Sequence, residues 1–277
     1  MTAWILGVIE TLLKDILNSS ADFTQSLSGF SETLYEYSSK IQSTVFLPIA
    51  YTVLGIFFLL EMWHASTKTE GQGNGAMISV ETIIKILLRI VICTTLVDMS
   101  PQLFEGIFNL FNGITEQIQD ITSTSSALSN LPGFSEMKET LDEMGVIECI
   151  GPFFFTVITL LVVTVTYIAS RVIFMLRFIE IYMYICVSPV PLATLANGEI
   201  GQVGKNFLKG FIAVSLQGTL LYLVFAFAPP LMGDMLSDGS SSGEVAMSLL
   251  SVMTASVVLL IAIFSTGRWA KSICNAM

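Results

Sequence analysis

Residues 149–170 read CIGPFFFTVITLLVVTVTYIAS, twenty-two positions without a charge. At 1.5 Å of rise per residue a helix of that length covers the roughly 30 Å of a bilayer's hydrocarbon, and it would have no polar face to show to water. Cys149 to Ser170 therefore reads as a membrane span. The apolar run does not stop there, but continues through Ile181 to Ala196 with Arg171, Arg177 and Glu180 set into it. Counting this as another crossing would put Lys205 and Lys209 outside, against the preference of cations for the cytoplasmic face. One long helix is the better reading: its second half is expected to project beyond the lipid, with Arg177 and Glu180 paired at i, i+3. Its register ends at Ser188-Pro189-Val190-Pro191, where missing N–H groups and ring clashes force a break.

The charges on either side of this span give its direction. From Asp98 to Cys149 there are nine carboxylates (Asp98, Glu105, Glu116, Asp120, Glu136, Glu139, Asp142, Glu143, Glu148) and one cation, Lys138. Lys205, Lys209, Arg268 and Lys271 lie beside the opposite ends of the apolar spans. The acidic segment is thus expected outside and the C-terminus in the cytoplasm. Composition agrees, with 53% of residues apolar and only 12% charged, against about 25% charged in an ordinary soluble domain. The net charge of −10 excludes a protein built to grip phosphate backbones, which needs clustered Lys and Arg. Four scattered cysteines and one histidine, His64, provide neither a zinc site nor a disulfide framework, so no metal and no cofactor is expected. The first cation is Lys14, and nothing basic precedes the apolar start, so a cleaved signal peptide is not expected.

Four blocks follow. In residues 1–44, Trp4, Ile5, Val8, Ile9, Leu12, Leu13, Ile16 and Leu17 lie on one helical face, as on an interfacial or partner-docking helix, or a plain surface helix. Residues 45–98 hold two spans, Val45 to Trp63 and Met77 to Val97, joined by a turn containing Gly71-Gln72-Gly73-Asn74-Gly75. The second carries Glu81, Lys85 and Arg89 at i, i+4, i+8, which fits either an ion-paired interfacial end that snorkels or a stripe facing a protein interior or an aqueous path. In the acidic block, residues 99–148, Phe104, Ile107, Phe108, Phe111 and Ile114 mark a helix lying on the outer membrane surface or on a neighbour. A polar loop from Thr122 to Gly133 and a second helix with Glu136, Glu139 and Glu143 come next. Residues 149–277 form a three-helix core: the long helix, a span from Phe207 to Ala228 closed by Pro229-Pro230, and one from Val245 to Phe264. Asp234 to Glu244, with three acids and no cation, again reads as outside. Ser248, Ser251 and Ala255 make a small-residue seam for helix packing, and Ser215, Gln217 and Gly218 do the same for the span before it, within the chain or between copies. The fold class is an all-α membrane protein with about five transmembrane helices, N-terminus out and C-terminus in, the long third helix broken by Pro189 and Pro191.

This arrangement resembles the TrbL-type polytopic subunit of conjugative type IV secretion machines. The resemblance covers roughly Val45 to Lys271 and is closest from Phe174 to Pro230, where Cys186-Val187-Ser188-Pro189-Val190-Pro191-Leu192-Ala193, the turn Asn197-Gly198-Glu199-Ile200-Gly201 and an apolar return span follow one another. It implies a non-enzymatic channel subunit in the bacterial cytoplasmic (inner) membrane, forming a homo-oligomeric ring at the base of the path for DNA or protein. The implied partners are secretion ATPases, other machine subunits and membrane lipids, and the substrate passes without sequence-specific nucleic-acid binding. The central loop is short and no long soluble tail follows, in contrast to larger members. A polytopic transporter or permease for a small solute is the alternative, although it would show two related halves and paired broken helices. An enzyme would need a nucleophile with a base or a metal cluster, and H-E-x-x-H, G-x-S-x-G and phosphate-binding glycine loops are absent from the sequence.

Overall fold

The computed structural model describes residues 2–18, 24–70, 80–123, 150–198, 200–237 and 245–276. Every regular element among them is helical. Helix α1 is Thr2–Asn18, α2 is Leu27–Phe30, and α3, Glu32–Ile41, runs through a π-helical turn at Gln42–Phe46 into α4, Leu47–Glu70. Helices α5 (Val80–Asp98) and α6 (Ser100–Ser123) come next, followed by α7 (Ile150–Val187) and the short α8 (Pro189–Ala193) with a 3-10 turn at Thr194–Ala196. The described chain closes with α9, Gln202–Ser237, and α10, Val245–Ile273.

Among the described residues four stretches are long and apolar enough to cross a membrane: Glu32–Thr67, Phe153–Val187, Gln202–Met232 and Met247–Ile273. Helix α5, expected as the second of five spans, is nineteen residues long and carries Glu81, Lys85 and Arg89, so it does not qualify by length and composition. It nevertheless returns antiparallel beside α4. The Tyr51 hydroxyl donates to the Asp98 carboxylate, and Arg89 reaches Glu61 at 2.7 Å.

The described residues form two compact units, interleaved in sequence. In the first (Met1–Gln25, Phe111–Arg177, Leu216–Ala270), α1 buries Ile5, Leu6, Ile9, Leu13 and Ile16. Lys14 and Glu10 pair across one turn at 2.7 Å. The amphipathic face is thus used within the chain. The later half of α6 lies along α9, where the Thr115 and Thr219 hydroxyls are 3.0 Å apart and those of Thr122 and Tyr222 2.8 Å. Of the two expected seats for α6, outer membrane surface or neighbour, this half takes the neighbour. Ala255 and Ser256 of α10 are buried, and Thr166 of α7 donates to the Ser256 carbonyl at 3.3 Å. That end of the small-residue seam packs inside one subunit, whereas Ser248 and Ser251 are half-buried.

In the second unit (Ser26–Leu110, Phe178–Ser215, Lys271–Met277), other helices cover one face of the later half of α7, while Ile179 and Met183 stay exposed. Phe178 stacks on Phe30 with ring centroids 4.1 Å apart and meets the edge of Phe108 at 6.1 Å. The Tyr182 hydroxyl donates to the Leu27 carbonyl at 2.6 Å, and Gln42 donates to Ser100 at 2.8 Å and Ser188 at 3.3 Å. One face of this half-helix is thus covered within the chain. Phe178, Ile181, Tyr182 and Ile185 recur at helical spacing and are buried, so this face needs partners, and α2, α3 and the first half of α6 supply them.

The prolines behave in two ways. Helix α7 ends at Val187, Ser188 returns its hydroxyl to the Ile185 carbonyl at 2.8 Å, and Pro189 opens α8. There its missing N–H is one the first turn leaves unused anyway. Pro229 and Pro230, expected to close a span, instead lie inside α9, which continues to Ser237. Proline's φ is compatible with a helix, and neighbouring groups can satisfy the carbonyls it cannot serve. Most of the loop from Thr122 to Gly133, and the helix expected around Glu136, Glu139 and Glu143, lie outside the described residues.

Candidate functional site: a buried arginine and an ion-paired hairpin

Arg177 is 2% exposed, although it lies within the apolar stretch Phe153–Val187. An ionised guanidinium at that depth is costly unless the protein supplies its surroundings. Its niche is made by an absence of side chain: a Cβ at Gly218 of α9 would overlap the guanidinium carbon and both terminal nitrogens. The arginine head therefore lies flat on the α9 backbone. On either side of Gly218, Thr219 is tied to Thr115, and Gln217 sits 3.4 Å from the Cβ position of Gly267 on α10. Within the first unit, α6, α7, α9 and α10 all contribute polar or small residues to this seam, in helices otherwise built from Leu, Val, Ile and Phe.

The other expected charges are distributed differently. The Arg171 guanidinium stands 5.8 Å from the Tyr167 ring centroid, in cation–π range. Glu180 is half-buried, and the i, i+3 ion pair with Arg177 does not form. On α5 the stripe splits. Lys85 pairs with Glu81 at 2.6 Å, whereas Arg89 crosses to Glu61 of α4, whose second oxygen accepts from Asn197 at 3.5 Å. Asn197 also caps the turn into α9 by accepting from the Ile200 N–H at 3.0 Å. One carboxylate thereby ties α4, α5 and the turn after α8 together.

Glu61 is not among the residues the sequence singles out, and Asn197 and Gly218 enter there only as members of a turn and of a small-residue seam. Glu61 carried a signal, as the lone carboxylate of an otherwise apolar span. Among the described residues no group of three His, Cys, Asp or Glu is placed to hold a metal ion. The site's chemistry is that of fixed charge in an apolar setting: it can hold two helices in register, or present a cation to an anionic group. Comparison with known families brings one match, over residues 13–189, to the model described as TrbL/VirB6 plasmid conjugal transfer like protein. No curated protein matches the chain.

Proposed function

Because this chain belongs to the TrbL/VirB6 family of plasmid conjugal transfer proteins, we propose that it is a channel subunit of a conjugative type IV secretion machine in the cytoplasmic membrane. It acts without catalysis, by assembling into a closed homo-oligomer at the base of the path taken by DNA or protein. The observation that carries this reading is the family match joined to helices of membrane-crossing length. Five crossings, with α5 counted, are few to enclose a macromolecular path alone, and closed symmetry is the common way for identical copies to build one. Secretion ATPases and other machine subunits are the partners this role requires, and the acidic net charge fits a path that does not grip its cargo. The sealed Arg177–Gly218 contact supplies a point at which α7 and α9 are held together during transfer.

The test is in two parts. Deleting the gene from its conjugative element should abolish transfer, and the intact chain supplied in trans should restore it. Native mass measurement in lipid discs should give a multiple of 30.2 kDa. Undiminished transfer from the deletion would overturn the role, and a uniform monomer in native lipid would overturn the ring.

A further inference from the structure

Between α4 and α5 lies a cavity of about 350 Å³, lined by Glu61, His64, Thr82, Lys85, Arg89 and, from the turn after α8, Gly198. Its chemistry is uneven. Arg89 gives one terminal nitrogen to Glu61, and Lys85 gives one of its three donors to Glu81. Both cations remain well exposed, with side chains 48% and 73% accessible, and a guanidinium has five N–H donors. The Thr82 hydroxyl and the His64 imidazole add further polar groups to the lining. The surroundings are apolar and open: Ile56, Leu59, Trp63, Ile84, Leu88 and Ile92 are all exposed. Lys85, Leu88 and Ile92 follow at i, i+3, i+7, so the cation stands at the head of an apolar stripe on one face of α5.

A small soluble anion would use the cations and leave the stripe bare. An amphiphile with a phosphate head and acyl tails would use both. We propose that this cavity is a binding site for the headgroup phosphate of an anionic phospholipid, held by Lys85 and Arg89, with its acyl chains lying along the exposed face of α5 and α4. The Arg89–Glu61 pair fixes the guanidinium's position, and Lys85, one turn earlier on α5, supplies the second cation to the phosphate. The site also accounts for a charged α5 in a membrane setting, because its cations then face a lipid anion instead of hydrocarbon. The proposal does not depend on the transfer role: a lost lipid preference would leave that role untouched, and loss of the role would leave the site standing.

Trp63 provides the probe, being exposed beside His64 with ring centroids 5.9 Å apart. The full chain, with Trp4→Phe and Trp269→Phe, is placed in discs of phosphatidylcholine containing brominated phosphatidylglycerol or, in parallel, brominated phosphatidylcholine. One Lys or Arg near an anionic surface is worth a factor of about five in affinity. The brominated anionic lipid should therefore quench Trp63 at about fivefold lower mole fraction than the neutral one. Lys85→Gln and Arg89→Gln together should bring the two lipids level, and Lys85→Gln alone should do so in part. Inorganic phosphate replacing chloride at constant ionic strength should not relieve the quenching. Equal quenching by the two lipids in the unsubstituted cavity, or a preference that survives the double substitution, would overturn the proposal. Relief by inorganic phosphate would show a free-anion site instead, and would equally overturn it.

Discussion

The Arg177 guanidinium rests on the α-carbon of Gly218, in the volume where any other residue at 218 would place its Cβ. Arg177 is sealed from solvent, so the head cannot swing aside into water to make room. A methyl group added at 218 must push the arginine out of its niche or push α7 away from α9. Overpacking of this kind costs about 1–3 kcal/mol. Gly218→Ala should lower the thermal stability of the disc-embedded protein and reduce transfer. The sharper measurement is the pair. On an Arg177→Ala background, Gly218→Ala should cost much less, with a coupling of about 0.5–3 kcal/mol between the two positions. Strict additivity would show that the two residues do not meet.

Arg177 itself separates anchoring from function. Replacing it by Ala removes the buried cation of α7, and should lower transfer at least tenfold, a loss of about 1.4 kcal/mol, while membrane level and oligomer mass stay normal. Arg177→Lys should rescue only in part, because a compact ammonium cannot lie flat on the Gly218 backbone as a planar guanidinium does. Glu180→Ala should leave transfer close to normal, since Glu180 and Arg177 form no ion pair. Transfer frequency together with membrane quantification decides the matter, and normal transfer from Arg177→Ala would confine this residue to packing.

How far the sequence could be read follows from which interactions are local. The uncharged run from Ile150, the proline break at Ser188-Pro189 and the apolar face of α1 are properties of consecutive residues, and the structure repeats them. The Lys85–Glu81 pair is one helical turn long and was legible for the same reason. Arg89 was read as the third member of that stripe, yet it binds Glu61 on another helix; charge spacing along one helix does not show what a neighbour offers. Gly218 was noted only as a small residue in a seam. That it marks the landing place of an arginine from α7 is a coincidence of two helices that no periodicity encodes. Which helices cover the later half of α7 is not legible, because charge asymmetry reports which side of a membrane a loop occupies and says nothing of which helix covers an apolar face. The two prolines of α9 were read by their usual effect in water, whereas in a membrane helix neighbours can absorb the lost hydrogen bonds.

Gly204 tests the close crossing after the proline break. A Cβ there would stand 2.6 Å from the Pro191 carbonyl oxygen and 2.8 Å from Leu195 Cγ. The Gly204 N–H also donates to the Thr194 hydroxyl at 3.0 Å, which fixes the start of α9 against the turn after α8. The oxygen belongs to backbone in a proline-stiffened segment and has little freedom to move. Gly204→Ala should therefore destabilise by about 1–3 kcal/mol, and Gly204→Val by more. Because Asn197 shares that turn and bonds Glu61, limited proteolysis should show the turn opening at lower protease in Gly204→Ala than in the unsubstituted protein. Unchanged melting and unchanged cleavage would mean that α8 and α9 are less closely apposed than the structure places them.

Sidedness can be read with thiols, one of them native. Cys274 lies just past α10, half-buried, and burial holds its thiol above the ordinary range. Only the thiolate attacks a maleimide. A raised pKa therefore leaves less thiolate at neutral pH, and the labelling rate of Cys274 should go on rising at alkaline pH where a solvent-exposed cysteine has already levelled off. With Cys93, Cys149 and Cys186 replaced by Ala, an impermeant maleimide should leave Cys274 unlabelled in intact cells and label it once the membrane is breached, at a rate with that displaced pH profile. In a background lacking all four native cysteines, Ser125→Cys should label from outside. Asn197 is buried and would make a poor reporter for the other side, so Val203, which is exposed, is the position to use. Val203→Cys should stay protected until the membrane is opened. Labelling of Ser125→Cys and Val203→Cys from the same side of intact cells would remove the odd number of crossings between them, and with it the outward N-terminus and inward C-terminus that the charge pattern requires.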